Sequence, residues 1–238
     1  MSKSRVLWVF LTLAITASFA RADSVTIRTG QVALVPGTCS GSDDSFHCYT
    51  PNPICGQPIL PTPFSASDFE LACSGPYAVV ATAYTPVWVD ELACDPLARW
   101  IAPSVDPNTC WGAPLSVLYC AQFSLQSQCT LADSVRVCWA ADDFLGDVPD
   151  YPGPNPGGVY INGVSLGPAF SGPGANQQYS AVAYNVPLNP GTNSLAVYQR
   201  DAGCGIAGLI LSCTVYAGCG ATPTEERSWG SIKAKYSR

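Results

Sequence analysis

Residues 159–166 read Val-Tyr-Ile-Asn-Gly-Val-Ser-Leu, and within this stretch Asn162 and Gly163 separate two short apolar runs. An Asn-Gly pair flanked by alternating apolar residues is the strongest short-range signal for a β-hairpin, because both turn positions require a positive φ angle. The stretch therefore predicts two antiparallel strands joined by a two-residue turn.

Similar short runs, with apolar side chains at every second position, recur on both sides of this hairpin. Each is bounded by Gly, Pro, Asn or Asp. This pattern is typical of an all-β sandwich or barrel. We therefore predict one antiparallel, disulfide-rich β-sandwich domain over residues 23–221. The predicted strands cover residues 25–28, 77–83, 118–125, 134–141, 159–161, 181–186, 195–200 and 206–216.

Two segments between the predicted strands are expected to be irregular. Residues 36–76 are dense in Cys, Pro, Ser and Gly, and we expect them to form a disulfide-tied insert rather than regular structure. Residues 142–158 contain four prolines and four glycines. Because proline cannot donate a ladder hydrogen bond and glycine weakens a strand, this second segment is predicted to be a loop.

The first 22 residues have the pattern of a secretory signal peptide. Lys3 and Arg5 precede an apolar run at residues 6–15, and Ala20-Arg21-Ala22 supplies a small-x-small cleavage site. A membrane-spanning helix needs about 20 apolar residues, so this run is too short to serve as one. We expect a mature chain that begins at Asp23, is secreted or held at the cell surface, and is not an integral membrane protein.

The chain has 12 cysteines, all beyond the predicted cleavage site. An even number of cysteines in an exported chain predicts up to six disulfides. Zinc binding is disfavoured, because there is no Cys-x-x-Cys pair and only one histidine. The cysteines are Cys39, Cys48, Cys55, Cys73, Cys94, Cys110, Cys120, Cys129, Cys138, Cys204, Cys213 and Cys219.

The pairing of Cys120 and Cys138 depends on how the strands at 118–125 and 134–141 are connected. If these strands form a simple hairpin, the two cysteines lie opposite each other, close enough to bond. If the chain crosses from one sheet to the other between them, as is common in a jelly roll, the two cysteines point apart. The sequence leaves both arrangements open.

Charge is scarce, with only 12% of residues charged, and it is unevenly distributed. Residues 23–224 contain 15 acidic residues, four arginines and no lysine. Such an acidic body repels phosphate backbones, which excludes nucleic acid as a partner.

The sequence also argues against an enzyme. Residues 163–167 match the Gly-x-Ser-x-Gly pattern of serine hydrolases, but that motif needs a histidine downstream, and the only histidine, His47, lies upstream. Cys48 follows His47 in a cysteine-dense segment, and a bridged thiol cannot act as a nucleophile. We therefore expect no catalytic residues.

The last residues differ from the rest of the chain. Thr222-Pro223-Thr224-Glu225 fits a helix capping box, and Trp229, Ile232 and Tyr236 follow at helical spacing. Residues 222–238 are therefore predicted to form a short amphipathic helical tail. The stretch Ser228-Trp229-Gly230-Ser231-Ile232-Lys233 is similar to Trp-Gly-x-x-Lys endings of exported bacterial proteins, which implies a surface or secretion tag.

From residue 100 onward, several short motifs follow one another in order. They are Trp100-Ile101, Tyr119-x-x-x-Phe123-x-Leu125, Val135-x-Val137-x-Trp139-Ala140-x-Asp142-Asp143, Val159-Tyr160-Ile161-Asn162-Gly163, Pro187-Leu188-x-x-Gly191-x-Asn193-x-Leu195-x-Val197 and Gly208-Leu209. Their order resembles that of the galactose-binding-like jelly-roll domains, which include sugar-binding domains of glycosidases and many carbohydrate-binding modules. The resemblance covers about residues 24–217 and implies a jelly-roll sandwich that binds carbohydrate.

Two sets of side chains are candidates for a binding site. Clustered carboxylates on a Gly/Pro-rich loop suit Ca²⁺, which prefers oxygen ligands on a backbone that can wrap around it. Exposed aromatic rings near loops can stack on the apolar face of a sugar while nearby polar groups bind its hydroxyls. The candidate calcium ligands are Asp142, Asp143, Asp147 and Asp150, and the candidate carbohydrate-binding residues are Trp111, Tyr151, Phe170 and Tyr179.

These features predict a secreted, non-catalytic glycan-binding or adhesion protein whose partner is an extracellular glycan or surface polymer. The alternative is a self-associating structural subunit of a surface layer, sheath or filament, which is favoured by the low charge, the many cysteines and the tail. Two of the loop carboxylates could also serve as a glycosidase pair, but neighbouring acids on one loop rarely hold the separation that this chemistry needs.

Overall fold

The computed structural model describes residues 21–31, residue 39 and residues 41–219. Residues 1–20 of the predicted signal peptide (residues 1–22) and the predicted tail at 222–238 lie outside the described residues, whereas Arg21 and Ala22 begin the first strand. The strands are β1 (Arg21–Arg28), β2 (Ser42–Tyr49), β3 (Tyr77–Val80), β4 (Ile101–Ala102), β5 (Val117–Ser124), β6 (Leu131–Asp142), β7 (Phe144–Leu145), β8 (Val159–Ile161), β9 (Val164–Ser165), β10 (Gly172–Pro173), β11 (Tyr179–Pro187), β12 (Thr192–Arg200) and β13 (Gly208–Cys219). One α-helix, α1 (Ala66–Ser74), and a 3₁₀ turn (Pro168–Phe170) complete the described structure.

The strands form one antiparallel, curled sheet, which confirms the predicted all-β class. Its main path runs in the order β10-β7-β12-β5-β2-β3-β4-β13-β6-β11, with β1 paired to β13 and β8 paired to β12. The curl brings the layer of β2, β5, β8 and β12 against the layer of β1, β6, β11 and β13. Side chains from both layers, such as Phe46, Tyr119 and Trp139, meet in one buried core, as in a sandwich.

The hairpin predicted from residues 159–166 is confirmed. Ile161 pairs with Val164, and Asn162 and Gly163 occupy the turn with φ angles of 51° and 77°. The Asn162 amide also donates from Nδ2 to Oδ1 of Asn193 at 2.8 Å, and its Oδ1 accepts the Ser194 N–H at 2.9 Å. Asn162 therefore fixes the hairpin against β12.

The chain crosses between layers after β5, since β5 pairs with β2 and β12 whereas β6 pairs with β11 and β13. The simple hairpin between these two strands is therefore wrong. Cys120 is bonded to Cys73, and Cys138 lies on the other layer.

Four disulfides are present, fewer than the six allowed by the cysteine count. They join Cys39 to Cys110, Cys55 to Cys204, Cys73 to Cys120 and Cys129 to Cys219. Three of these bridges tie residues 39–73 to the sandwich, as the cysteine content of that segment predicted. Cys48, Cys94, Cys138 and Cys213 are not bridged. The expectation that Cys48 is a bridged thiol is therefore wrong; Cys48 is instead a buried free thiol.

Residues 36–76 contain more regular structure than predicted, because they include β2 and α1. The first half of β2 is polar, but the buried Asp43 satisfies its backbone by accepting the N–H groups of Ser45 and Phe46 at 2.7 and 2.9 Å. Helix α1 begins at a capping box, in which Ser65 and Asp68 bind each other's backbone N–H groups.

Candidate functional site

A shallow cavity of about 380 Å³ opens where the chain passes from one layer to the other between β6 and β7. Asp142 is the last residue of β6 and pairs with Gly208 of β13, whereas Phe144 begins β7 and pairs with Arg200 of β12. The backbone ladder therefore changes partner between Asp142 and Phe144, and the side chains of Asp142 and Asp143 line the cavity at this point.

Asp142 carries the most perturbed carboxyl group in this cavity. Burial raises its pKa to about 7; the indole of Trp88 opposes this shift by donating to Oδ2 at 2.6 Å, whereas the neighbouring carboxyl group of Asp143 adds to it. Trp88 is itself buried and stacks on Trp100 with ring centroids 4.2 Å apart. Near neutral pH, Asp142 can therefore both donate and accept hydrogen bonds.

Asp143 organises the loops around the cavity. Its Oδ2 accepts the N–H groups of Ala202 and Gly203, each at 2.7 Å, and its carbonyl oxygen accepts the Gly174 N–H at 2.9 Å. The nearby Asp201 is fully buried, and burial together with the charge of Asp143 raises its pKa. Asp142 and Asp143 therefore make the cavity acidic, and the pKa of Asp142 lies near neutral pH.

Tyr151 provides the exposed aromatic surface of this site. Its side chain is 45% exposed, and its ring packs at a tilt on the buried Phe144 with centroids 5.5 Å apart. Its backbone N–H donates to the carbonyl of Val148 at 2.9 Å, which closes a tight turn. The ring is thus held in place while one face stays open to solvent. Asn176 and Val87 also line the cavity.

The structure separates the four carboxylates that were predicted as calcium ligands. Asp142 and Asp143 share the cavity, but Asp147 is buried in an ion pair with Arg200 and also accepts the Asn155 N–H at 2.7 Å. Asp150 is exposed. Asp147 is therefore already neutralised and does not face the cavity as a cation ligand.

The only cluster of three potential metal ligands within 4.8 Å among the described residues consists of Asp23, Cys129 and Cys219. The two cysteines of this cluster are joined in a disulfide, so their sulfur atoms are not thiolate ligands. Among the described residues, no three loop carboxylates therefore lie within 4.8 Å of one another.

The other aromatic candidates lie in different places. Phe170 is 1% exposed and packs in the core near Trp139, so the expectation of an open ring is wrong for Phe170. Tyr179 is half-buried and stacks on Trp139 at 5.9 Å. Trp111 is also half-buried, contacts the edge of Tyr84, and lines a second cavity of about 290 Å³.

A third and larger cavity, of about 520 Å³, was not predicted from the sequence. It lies between α1 and the β8–β9 hairpin, and its lining includes Phe69, Glu70 and Gln122. The Ser65-x-x-Asp68 capping box is the signal that could have revealed the helix, and with it one wall of this cavity.

The fold and the cavity at Tyr151 together define the class of molecule: an all-β, disulfide-bonded domain with an open, acidic pocket beside a fixed aromatic ring. Comparisons with protein-family models, with curated proteins and with solved structures find no match to this chain. Among the described residues, no helix has the length and apolar character needed to span a membrane.

Proposed function

We propose that the protein is exported and binds extracellular glycans, without catalysis, at the cavity lined by Asp142, Asp143 and Tyr151. The observation that carries this proposal is the Tyr151 ring, which is 45% exposed yet held by Phe144 directly beside two carboxyl groups. A sugar presents an apolar C–H face and a rim of hydroxyls, and this cavity offers a partner for each. The four disulfides support an oxidising, extracellular setting.

The arrangement of the two carboxyl groups favours binding over glycoside hydrolysis. Asp142 and Asp143 are consecutive residues that line the same cavity, and after burial the nearby Asp143 adds to the raised pKa of Asp142. Glycosidases hold their two carboxyl groups about 5 Å apart in retaining enzymes and about 6.5–9.5 Å apart in inverting enzymes, so that a sugar or a water fits between them. Adjacent carboxyl groups at the end of one strand rarely hold such a separation. The pair can instead bind the hydroxyls of one sugar, with Asp142 donating and Asp143 accepting.

A glycan array probed with the secreted protein tests the proposal, followed by calorimetry with the best-bound glycan. We expect Tyr151→Ala to weaken binding at least about tenfold, the equivalent of about 1.4 kcal/mol. Tyr184→Ala is the matched control, because Tyr184 is 71% exposed on β11 and does not line the cavity. Near-ultraviolet circular dichroism checks that both variants keep the fold.

The array is run both with Ca²⁺ and with a chelator, so that a cation-dependent glycan is not missed. Failure to bind any glycan in either condition overturns the proposal. Binding that survives Tyr151→Ala unchanged shows that the glycan lies elsewhere on the molecule, and this outcome also overturns the proposed site.

A further inference from the structure

Two of the unbridged cysteines, Cys94 and Cys138, meet on the outer face of the layer that contains β6 and β13. In the ladder, Cys138 of β6 lies between Ser180 of β11 and Ser212 of β13. Paired residues on antiparallel strands share a face, so these three side chains form a row across the outside of the sheet. Cys138 is only 4% exposed, because another segment of the chain covers the sheet at this position.

The cover is a turn at residues 92–95, which has Cys94 near its apex. The turn is closed by the Asp95 N–H, which donates to the Leu92 carbonyl at 3.0 Å. Leu92 is fully buried in the same apolar cluster as Cys138. One end of the turn therefore packs beside Cys138.

The other end of the turn is fixed to the neighbouring residue of the row. Oδ2 of Asp95 accepts hydrogen bonds from Ser212 Oγ at 2.7 Å and from Arg28 Nε at 2.8 Å. On the opposite side, the Ala93 N–H donates to Oε1 of Gln178 at 2.6 Å. Because Ser212 is the ladder partner of Cys138, these contacts place Cys94, the neighbour of Asp95, beside Cys138. Burial and the nearby Cys138 thiol both raise the pKa of Cys94.

We propose that Cys94 and Cys138 form a fifth disulfide in the exported protein. The oxidant is a disulfide of the secretory or extracellular environment, either a small-molecule disulfide or a protein disulfide. The exposed Cys94 attacks it, forms a mixed disulfide and releases one thiol; Cys138 then attacks the Cys94 sulfur and releases the second thiol. Two protein thiols become one disulfide, and the oxidant gains the two hydrogens.

This bridge acts on the candidate glycan site without belonging to it. It fastens the 92–95 turn to β6, and the same cluster under the turn contains Trp88 and Trp100. Since the Trp88 indole donates to Asp142, a fastened turn holds one wall of the cavity in position. The proposal does not depend on whether that cavity binds a glycan.

The test is disulfide mapping of the full chain, secreted by an oxidising host. The protein is alkylated in denaturant without reductant and digested with pepsin at acid pH, because the acid prevents thiol exchange and the body of the chain has no lysine for trypsin. We expect a linked peptide pair that contains Cys94 and Cys138. In Cys94→Ser this pair disappears and Cys138 carries the alkyl label, whereas Cys48→Ser keeps the linked pair.

Alkyl label on both Cys94 and Cys138 in the wild-type protein overturns the proposal. So does a linkage of either residue to another cysteine. Cys94 is exposed, so its replacement by serine is not expected to prevent folding, and secretion at the wild-type level confirms this.

Discussion

The buried ion pair between Arg200 and Asp147 offers the sharpest test of how this domain is held together. The two side chains are 3% and 1% exposed, so both charges are removed from water. Asp147 has neutral partners as well, since it accepts the Asn155 N–H at 2.7 Å and the Tyr198 hydroxyl at 3.3 Å. Arg200 is the only cation that contacts it among the described residues.

Arg200→Met removes the positive charge while keeping an unbranched side chain of similar length. The Asp147 carboxylate then stays buried with neutral donors only. Breaking a buried pair in this way typically costs about 3–5 kcal/mol, because the remaining charge is uncompensated. For a domain of this size, that loss lowers the melting temperature by roughly 10 °C.

Urea denaturation under oxidising conditions, followed by tryptophan fluorescence, measures the loss. Arg136→Met is the matched control, because Arg136 is an exposed arginine on β6, and we expect its free energy of unfolding to change by less than about 0.5 kcal/mol. In Asp147→Asn/Arg200→Met, which removes both charges, the loss should be smaller than the sum of the two single losses. Additive losses, or a loss below about 1 kcal/mol in Arg200→Met, would refute the argument.

Three further predictions concern other parts of the molecule. Burial raises the pKa of Asp142 from 3.8 to about 7, so between these pH values the folded state keeps a proton that the unfolded chain releases. The contribution of this proton to the free energy of unfolding is complete below about pH 4 and is lost as the pH rises to about 7. Asp142→Asn should therefore flatten the stability profile in this window, as measured by thermal unfolding at a series of pH values. Ser65→Ala removes the α1 cap and should cost about 1 kcal/mol in urea denaturation. Cys129→Ser/Cys219→Ser opens a bridge between residues 90 apart and should cost up to about 4 kcal/mol in the same assay.

The first two of these predictions have a control on the same chain. Asp150→Asn replaces an exposed carboxylate near the cavity and should leave the pH profile unchanged. Ser74→Ala alters the same helix as Ser65→Ala but removes only a hydroxyl bonded to the Glu70 carbonyl, so its effect should be smaller. An Asp142→Asn profile that parallels the wild type, or a Ser74→Ala loss as large as that of Ser65→Ala, would contradict the respective explanation.

Most of the strands could be predicted because their signals are local. Alternation and turn residues located the hairpin at 159–166 and the eight strand regions, with observed ends shifted by a few residues. Strand β2 was missed because half of its side chains are polar. Its regular pairing depends on the buried Asp43, which accepts the Gly30 N–H, and on the ladder with β5, which lies far along the chain.

The candidate site shows the same division between local and distant contributions. Asp142, Asp143 and Tyr151 lie within ten residues of one another, and composition was enough to single them out. Their partners Trp88 and Ala202 come from other parts of the chain, and only the fold shows that they meet. Phe170 was misjudged because its Gly/Pro neighbours suggested exposure, whereas its ring fills the core.

The pairing of β1 with β13 has a consequence for how the chain is made. Thr26 and Thr214 face each other across this ladder although 188 residues separate them in sequence. During synthesis β1 has no ladder partner until β13 has emerged, and pairing over such a distance is intrinsically slow. The β1–β13 ladder can therefore close only after nearly all of the other strands have been made.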